Sequence, residues 1–166
     1  ATSVMTISIG DTLPDASLLV IGENGPEAVQ LSSKTAGRKV VIFGLPGAYT
    51  GTCTSAHVPS FIRTKDAFDE KGVDEIICVS VNDPFVMAAW GASTGATEAG
   101  ITMLADAGAE FTRAMGLNFT APPAGFYDRS RRYALYAEDG VVKQFNVEEG
   151  PGVCEVSAGE TLLDQI

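Results

Sequence analysis

Residues 38–53 read Arg38-Lys39-Val40-Val41-Ile42-Phe43-Gly44-Leu45-Pro46-Gly47-Ala48-Tyr49-Thr50-Gly51-Thr52-Cys53, and their order decides the fold. The first eight are an apolar run rich in β-branched residues, the pattern of a central strand buried on both faces. Pro46 to Thr52, with its glycines and hydroxyl side chains, reads as a loop. From Thr54 to Lys71, Val58, Phe61, Ile62, Ala67 and Phe68 fall on one helical stripe, with Arg63, Lys65, Asp66, Asp69 and Glu70 around the other. Gly72 then stops the helix. Strand, loop and helix together set Cys53 in a first helical turn, where unpaired N–H groups and partial positive charge favour the thiolate, the reactive form of sulfur. Pro59 falls inside the predicted helix, where it should remove a backbone hydrogen bond and kink the axis, marking a place where the first turn can unwind alone.

Downstream, Asp74 to Val81 is a second buried strand, and Asn82-Asp83-Pro84 caps a short helix over Phe85 to Ala92. Ile101 to Ala105 is a third strand, and Ala109 to Met115 a third helix stopped by Gly116. This alternation implies a parallel sheet with right-handed crossovers. Arg131 to Ala137 and Val141 to Val147 alternate as strands joined by Glu138-Asp139-Gly140, a hairpin signal. Ser157, with Glu160 three residues on, resembles a capping box opening a terminal helix to Ile166. Upstream, Ile9 to Ser33 is turn-rich, with apolar alternation around Ser17 to Ile21 and Ala28 to Leu31, and predicts a hairpin covering one end. A β-α-β unit followed by a β-β-α unit is the thioredoxin-like arrangement. The expectation is therefore an α/β fold with a central mixed β-sheet flanked by helices and an N-terminal β-hairpin, as one domain over residues 1–166.

Composition agrees with one domain: 166 residues, 45% hydrophobic, without repeats or low complexity. A net charge of −10 repels a phosphate backbone or an anionic bilayer, so neither nucleic acid nor membrane is an expected partner. No apolar run approaches the ~20 residues of a membrane span. Arg129-Ser130-Arg131-Arg132 is a local exception, which anion binding, an ion-pair network or a solvated strand start would each explain. The three cysteines, Cys53, Cys78 and Cys154, form no C-x-x-C pair, and with a single histidine they predict neither a metal site nor a vicinal dithiol. An odd count without a leader predicts a reducing, cytoplasmic setting. The opening Ala1-Thr2-Ser3-Val4 is uninformative.

A free cysteine is most often a small buried apolar residue, so position alone assigns no chemistry to Cys53. Thr50 stands three residues before it, and Pro46 four before Thr50. A hydroxyl there can donate to a thiolate or to an oxygen of a bound oxidant, and a proline can keep water from the sulfur. His57, four residues along the helix, would suit a cysteine hydrolase pair, but such a base needs a third group to orient it, and none is evident.

Pro46-x-x-x-Thr50-x-x-Cys53 resembles the active-site pattern of the peroxiredoxins, and Pro46 through Pro59 is similar to their type II, atypical subfamily. Two further blocks extend the resemblance over nearly the whole chain: Cys78 through Met87 with Trp90, and Arg131 through Val142. It implies a thiol peroxidase without a cofactor, reducing hydrogen peroxide and alkyl hydroperoxides. Cys53 would attack the O–O bond, become a sulfenic acid and return to thiol through a disulfide. Thr50 would orient the peroxide, Pro46 shield the sulfenic acid, and Arg132 set its guanidinium beside the sulfur. A permanent forked cation there favours ionisation and stabilises the leaving oxygen, leaving Arg129 and Arg131 for solvent. The subfamily usually has proline after the threonine; Gly51 stands there instead and should loosen the first turn.

Three sources of the second thiol stay open. Cys78 sits on a predicted central strand, where a core role is at least as good an account. Cys154, in Gly150-Pro151-Gly152-Val153-Cys154, sits in a segment that reads as flexible and accessible. Glutathione or a glutaredoxin attacking Cys53 directly is the third, and thioredoxin is a further implied reductant. The resemblance also implies a homodimer through the active-site edge, formed by the Phe43 to Tyr49 loop and the Asn82 to Trp90 block. The competing class is a redox sensor or interaction module that is oxidised once and read by a partner.

Overall fold

The computed structural model describes residues 6–150 and 152–166, so Ala1 to Val4 and Pro151 lie outside the described residues. The strands are β1 (Ser17–Gly22), β2 (Gly25–Gln30), β3 (Lys39–Leu45), β4 (Glu75–Ser80), β5 (Thr102–Ala105), β6 (Asn118–Ala121), β7 (Phe126–Ser130), β8 (Tyr133–Glu138) and β9 (Val141–Val147). The helices are α1 (Leu31–Thr35), α2 (Val58–Glu70), α3 (Pro84–Thr94), α4 (Glu110–Ala114) and α5 (Gly159–Gln165). The main sheet has seven strands in the order β2-β1-β5-β4-β3-β8-β9. β3, β4 and β5 run parallel, while β8 pairs antiparallel with β3, and β9 with β8. This is the mixed sheet of the thioredoxin-like fold expected from the alternation of elements.

Side-chain alternation along these strands builds two cores. Val41, Phe43 and Leu45 of β3, Ile76 and Cys78 of β4, and Ala134 of β8 share one face with Phe61 and Phe68 of α2, Trp90 of α3 and Leu162 of α5. Val40 and Ile42 of β3, Ile77 and Val79 of β4, and Leu135 of β8 share the other with Leu31 of α1 and Phe111 of α4. Cys53 belongs to the first core. Arg132, just before β8, has the same parity as Ala134, which directs its side chain to the Cys53 face, whereas Arg131 has the opposite parity.

Several expectations need correction. The N-terminal hairpin covers one end by joining the sheet itself: it adds two strands beyond β5, with Leu19 opposite Ala105. A second two-stranded sheet, β6 with β7, stands where no strand was expected, because Pro122-Pro123 and the lack of alternation conceal it. The Ser157–Glu160 capping box does not form. Ala158 is the N-cap and no side chain caps α5, since Ser157 Oγ donates instead to Glu148 Oε2 at 2.6 Å and Glu160 pairs with Arg63 at 2.9 Å. Pro59 does not interrupt an α-helix from within: residues Cys53–His57 form a π-helical turn, and Pro59 follows in the first turn of α2. A proline ring in α geometry collides with the carbonyl four residues back, here Ser55, and the wider π turn accommodates it. Elsewhere local signals held. Asp83 Oδ1 caps α3 by accepting from Val86 N at 2.8 Å, and Asp139 and Gly140 adopt the positive φ (50° and 77°) of a tight hairpin turn.

Candidate active site

The helical stretch holding Cys53 starts at residue 51, where Thr54 N donates to Thr50 O at 3.0 Å, and then widens so that Val58 N reaches back to Cys53 O. Its outer side is tied down by the only tryptophan, as the buried Trp90 donates Nε1–H to Thr54 Oγ1 at 3.1 Å. Before it, Ala48 N donates to Asn82 Oδ1 at 3.0 Å, which fixes the loop to the segment after β4. Tyr49 takes a left-handed φ of 65°, an unusual conformation for an aromatic residue, immediately before Thr50.

Two chain segments meet at the sulfur, and a third, carrying Ser157, holds His57 beside them. Cys53 is fully buried, and Arg132, 2% exposed, donates Nη2–H to its Sγ at 3.1 Å. The other arm of the same guanidinium, Nη1, lies 3.0 Å from His57 Nδ1. His57 Nε2 lies 3.1 Å from the carbonyl of Ser157. A carbonyl only accepts, so Nε2 carries the proton, and the bare Nδ1 accepts from Arg132. His57 is therefore a neutral acceptor that orients the arginine. Weighing His57 only as a hydrolase base, and setting that aside, missed this role, and both partners lie far away in sequence.

The imidazole packs against Phe43 and Phe61 at centroid distances of 5.1 and 5.7 Å. Burial, with the Arg132 charge adding to it and the Ser157 carbonyl opposing, pushes its pKa down to about 3. An unfolded histidine titrates near 6.5, so between pH 6.5 and 3 only the unfolded chain binds this proton, and stability falls with falling pH by about 1.4 kcal/mol per unit. Above 6.5 this group adds no pH dependence. Denaturant titration is expected to show wild type losing about 2 kcal/mol more than His57→Gln between pH 7 and pH 5. Equal losses would remove His57 as the source.

Thr50 and Pro46 lie in the loop that leads from β3 into the Cys53 turn. Thr50 Oγ1 donates to Gly47 O at 2.7 Å, so its proton is committed to the backbone and its lone pairs are left to accept. Pro46 is buried, and its carbonyl accepts from Arg129 Nη1 at 3.1 Å. A Cβ on Gly47 would lie 2.5 Å from that Nη1, so this contact requires glycine. Arg129 and Arg131 are thus half-buried and partnered, where solvent alone was expected: Arg129 also lies over the Phe126 ring at 5.5 Å, and Arg131 Nη2 donates to Glu148 O at 3.1 Å. Arg131 and Arg132 line a cavity of about 150 Å³ with Phe119, Glu148, Glu149 and Gly150.

All three cysteines are free. Cys78 is fully buried on β4, opposite Phe43 and Met103, and burial raises its thiol pKa well above the usual value, with the Cys53 sulfur adding and Arg132 opposing. Cys154 is half-buried outside the strands and helices, and burial raises its pKa too, against the pull of Arg132. Its segment touches the Cys53 turn, where Thr52 Oγ1 donates to Gly152 O at 3.2 Å. Among the described residues, no group of three or more His, Cys, Asp or Glu side chains is placed to hold a metal ion.

A thioredoxin-like sheet with a cysteine in a helical first turn, faced by a buried arginine, defines a thiol-based redox protein. Known proteins narrow the class. A family model described as Redoxin matches residues 8–163. The chain is 48% identical over 167 residues to Peroxiredoxin-2E-2, chloroplastic, of Oryza sativa subsp. japonica, covering 98% of this chain and 74% of that protein. It is 43% identical over 158 residues to Peroxiredoxin-2B of Arabidopsis thaliana, covering 95% and 96%. Reduced Prx3 in complex with H2O2 from Vibrio vulnificus superposes with a TM-score of 0.88 at 46% identity, over 96% of this chain and 99% of that one. The chain belongs to the peroxiredoxins, of type II, and is a thiol-dependent peroxidase.

Proposed function

We propose that Cys53 is the nucleophile that reduces hydrogen peroxide and small alkyl hydroperoxides, with Arg132, Thr50 and Pro46 completing the site. The observation that carries this reading is the Arg132 fork, one arm on Cys53 Sγ and the other held by His57. The cation favours the thiolate and stabilises the negative charge that builds up on the departing oxygen. Thr50 Oγ1 accepts the peroxide O–H because its own proton is already given to Gly47, and the Cys53 N–H, in the first helical turn, is a further donor. Pro46 keeps water from the sulfur. As the S–O bond forms, the O–O bond breaks and sulfur gives up two electrons; the hydroxide or alkoxide takes a proton and leaves as water or alcohol. The cavity beside Arg132 has room for a small alkyl group. The reading assigns no metal, haem or flavin, because the sulfur supplies both electrons.

The sulfenic acid then condenses with a second thiol, forming S–S and releasing water, and an external thiol supplies the two electrons that restore Cys53. We assign Cys154 as the internal partner in preference to Cys78. Moving Cys78 would break the parallel ladder of β3, β4 and β5, whereas Cys154 lies outside it, in the segment that touches the Cys53 turn. Both thiols are held protonated, which leaves room for direct attack by glutathione with glutaredoxin, or by thioredoxin. Peptide mapping after one equivalent of peroxide tests this, with a Cys53–Cys154 disulfide expected; a Cys53–Cys78 bond would overturn the assignment. Cys154→Ser, assayed separately with each reductant, is expected to slow turnover with thioredoxin more than with glutathione and glutaredoxin.

Either route requires the covered Cys53 turn to open. Gly51 occupies a first helical position where a Cβ would meet nothing within 4 Å and where proline is well tolerated. Gly51→Pro is expected to leave the first oxidation unchanged and to slow recycling, seen as a delayed return of Trp90 fluorescence. Unaltered recycling would contradict a role for Gly51 in opening. The assembly proposed is a homodimer through the active-site edge, where Tyr49 and Phe85 are 56% and 63% exposed while Met87 and Trp90 are core. Sedimentation of Phe85→Glu as a monomer would support this. Free thiols suit a reducing compartment such as the cytoplasm, and among the described residues no helix is long and apolar enough to cross a membrane.

A further inference from the structure

Glu148 is a carboxylate only 4% exposed, just beyond β9, and the chemistry described so far gives it no task. Burying an ionised carboxylate costs several kcal/mol unless donors surround it. Here one oxygen, Oε2, accepts from three: Glu155 N at 2.7 Å, Ser157 N at 2.8 Å and Ser157 Oγ at 2.6 Å. The backbone of Glu148 is bound as well, its N–H donating to Arg132 O at 2.9 Å and its carbonyl accepting from Arg131 Nη2 at 3.1 Å. The segment it clamps has one contact that reaches the site, since Ser157 O is the acceptor for His57 Nε2–H.

We propose that Glu148 is a positioning residue for the peroxide-reducing thiol: by clamping residues 155–157 it sets the His57 tautomer that holds Arg132 against Cys53. The chain of contacts is continuous, from Glu148 Oε2 to Ser157, from Ser157 O to His57 Nε2, from His57 Nδ1 to Arg132 Nη1, and from Arg132 Nη2 to Cys53 Sγ. Without the Ser157 carbonyl, Nε2–H has lost its acceptor, and the Arg132 donor alone is left to keep the proton off Nδ1. A proton on Nδ1 instead would face the Arg132 N–H donor to donor, and the guanidinium would turn from both partners. The clamp therefore decides whether Arg132 points at sulfur, although Glu148 makes no hydrogen bond to the sulfur and meets the site otherwise only as part of the lining of the cavity beside Arg132. This deepens the function proposed above and rests on Cys53 being the nucleophile.

His57 is the only histidine, so nitrogen-15 NMR of the reduced, full-length chain observes a single imidazole. The wild type is expected to hold the neutral Nε2–H tautomer, and Glu148→Ala a mixture. Cys53 oxidation by hydrogen peroxide, read by trapping and peptide mass, should slow about tenfold in Glu148→Ala. Glu148→Gln, whose amide oxygen still accepts, should retain most of the rate. In a His57→Phe background, which keeps the packing against Phe43 and Phe61 but cannot hydrogen-bond, Glu148→Ala should have no further effect. An Nδ1–H tautomer in wild type, or equal slowing with and without His57, would overturn the proposal. Where Glu148→Ala does not fold, Ser157→Ala, which removes one of the three donors, carries the same comparison with a smaller slowing expected. Peroxide reduction that persists in Cys53→Ser would overturn the reading beneath it, whereas a Cys53-dependent rate indifferent to Glu148 overturns only this inference.

Discussion

Arg132→Met is expected to lower kcat/KM for hydrogen peroxide by about 10²- to 10³-fold, the usual cost of removing a preorganised donor from developing charge. The loss should not reflect unfolding. Methionine fills similar volume, and the buried acceptor it orphans, His57 Nδ1, costs about 1–3 kcal/mol, which lowers stability without unfolding the chain. What disappears is the single group that addresses Cys53 Sγ at 3.1 Å and His57 Nδ1 at 3.0 Å together. Arg132→Lys sharpens the point, because an ammonium keeps the charge but cannot span both positions, so its activity should fall between wild type and Arg132→Met. A wild-type circular dichroism spectrum and a modestly lowered denaturant midpoint, beside the collapsed rate, are the expected pairing. A rate within threefold of wild type would remove Arg132 from the chemistry.

Cys53→Ser should reduce thiol-dependent peroxide turnover to the uncatalysed background. A hydroxyl does not ionise near neutral pH, and the other two sulfurs are poor substitutes. Cys78 is sealed in the sheet, and both it and Cys154 are held protonated by burial. The same assay separates an enzyme from a single-use sensor, since many equivalents of peroxide consumed per chain, with glutathione and glutaredoxin or with thioredoxin, require recycling. Consumption that stops at one equivalent would point to the sensor.

The parts of this molecule that the sequence discloses are those governed by local physics. The run Lys39–Leu45 reads as a central strand because both of its faces are buried, and Asp83-Pro84 reads as a helix start because the cap acts within three residues. Arg132 was singled out by resemblance, yet strand parity offers an independent signal: it lies two residues before Ala134, on the face that holds Cys53. His57 was legible as a residue but not as an orienter, because Arg132 and Ser157 lie 75 and 100 positions away. The same distance hides the competition that draws Ser157 from its capping role to Glu148. Pro59 misled for a local reason, since a π turn relieves the clash that a proline would cause in an α-helix.

The most direct measurement exposes the reduced protein to less than one equivalent of hydrogen peroxide with a sulfenic-acid trap such as dimedone present, then maps the adduct by peptide mass. The expected result is labelling at Cys53, nearly absent in Arg132→Met over the same interval, with Cys78 and Cys154 unlabelled. Labelling first at Cys154 or Cys78, or equal labelling of Cys53 with and without Arg132, would contradict the account.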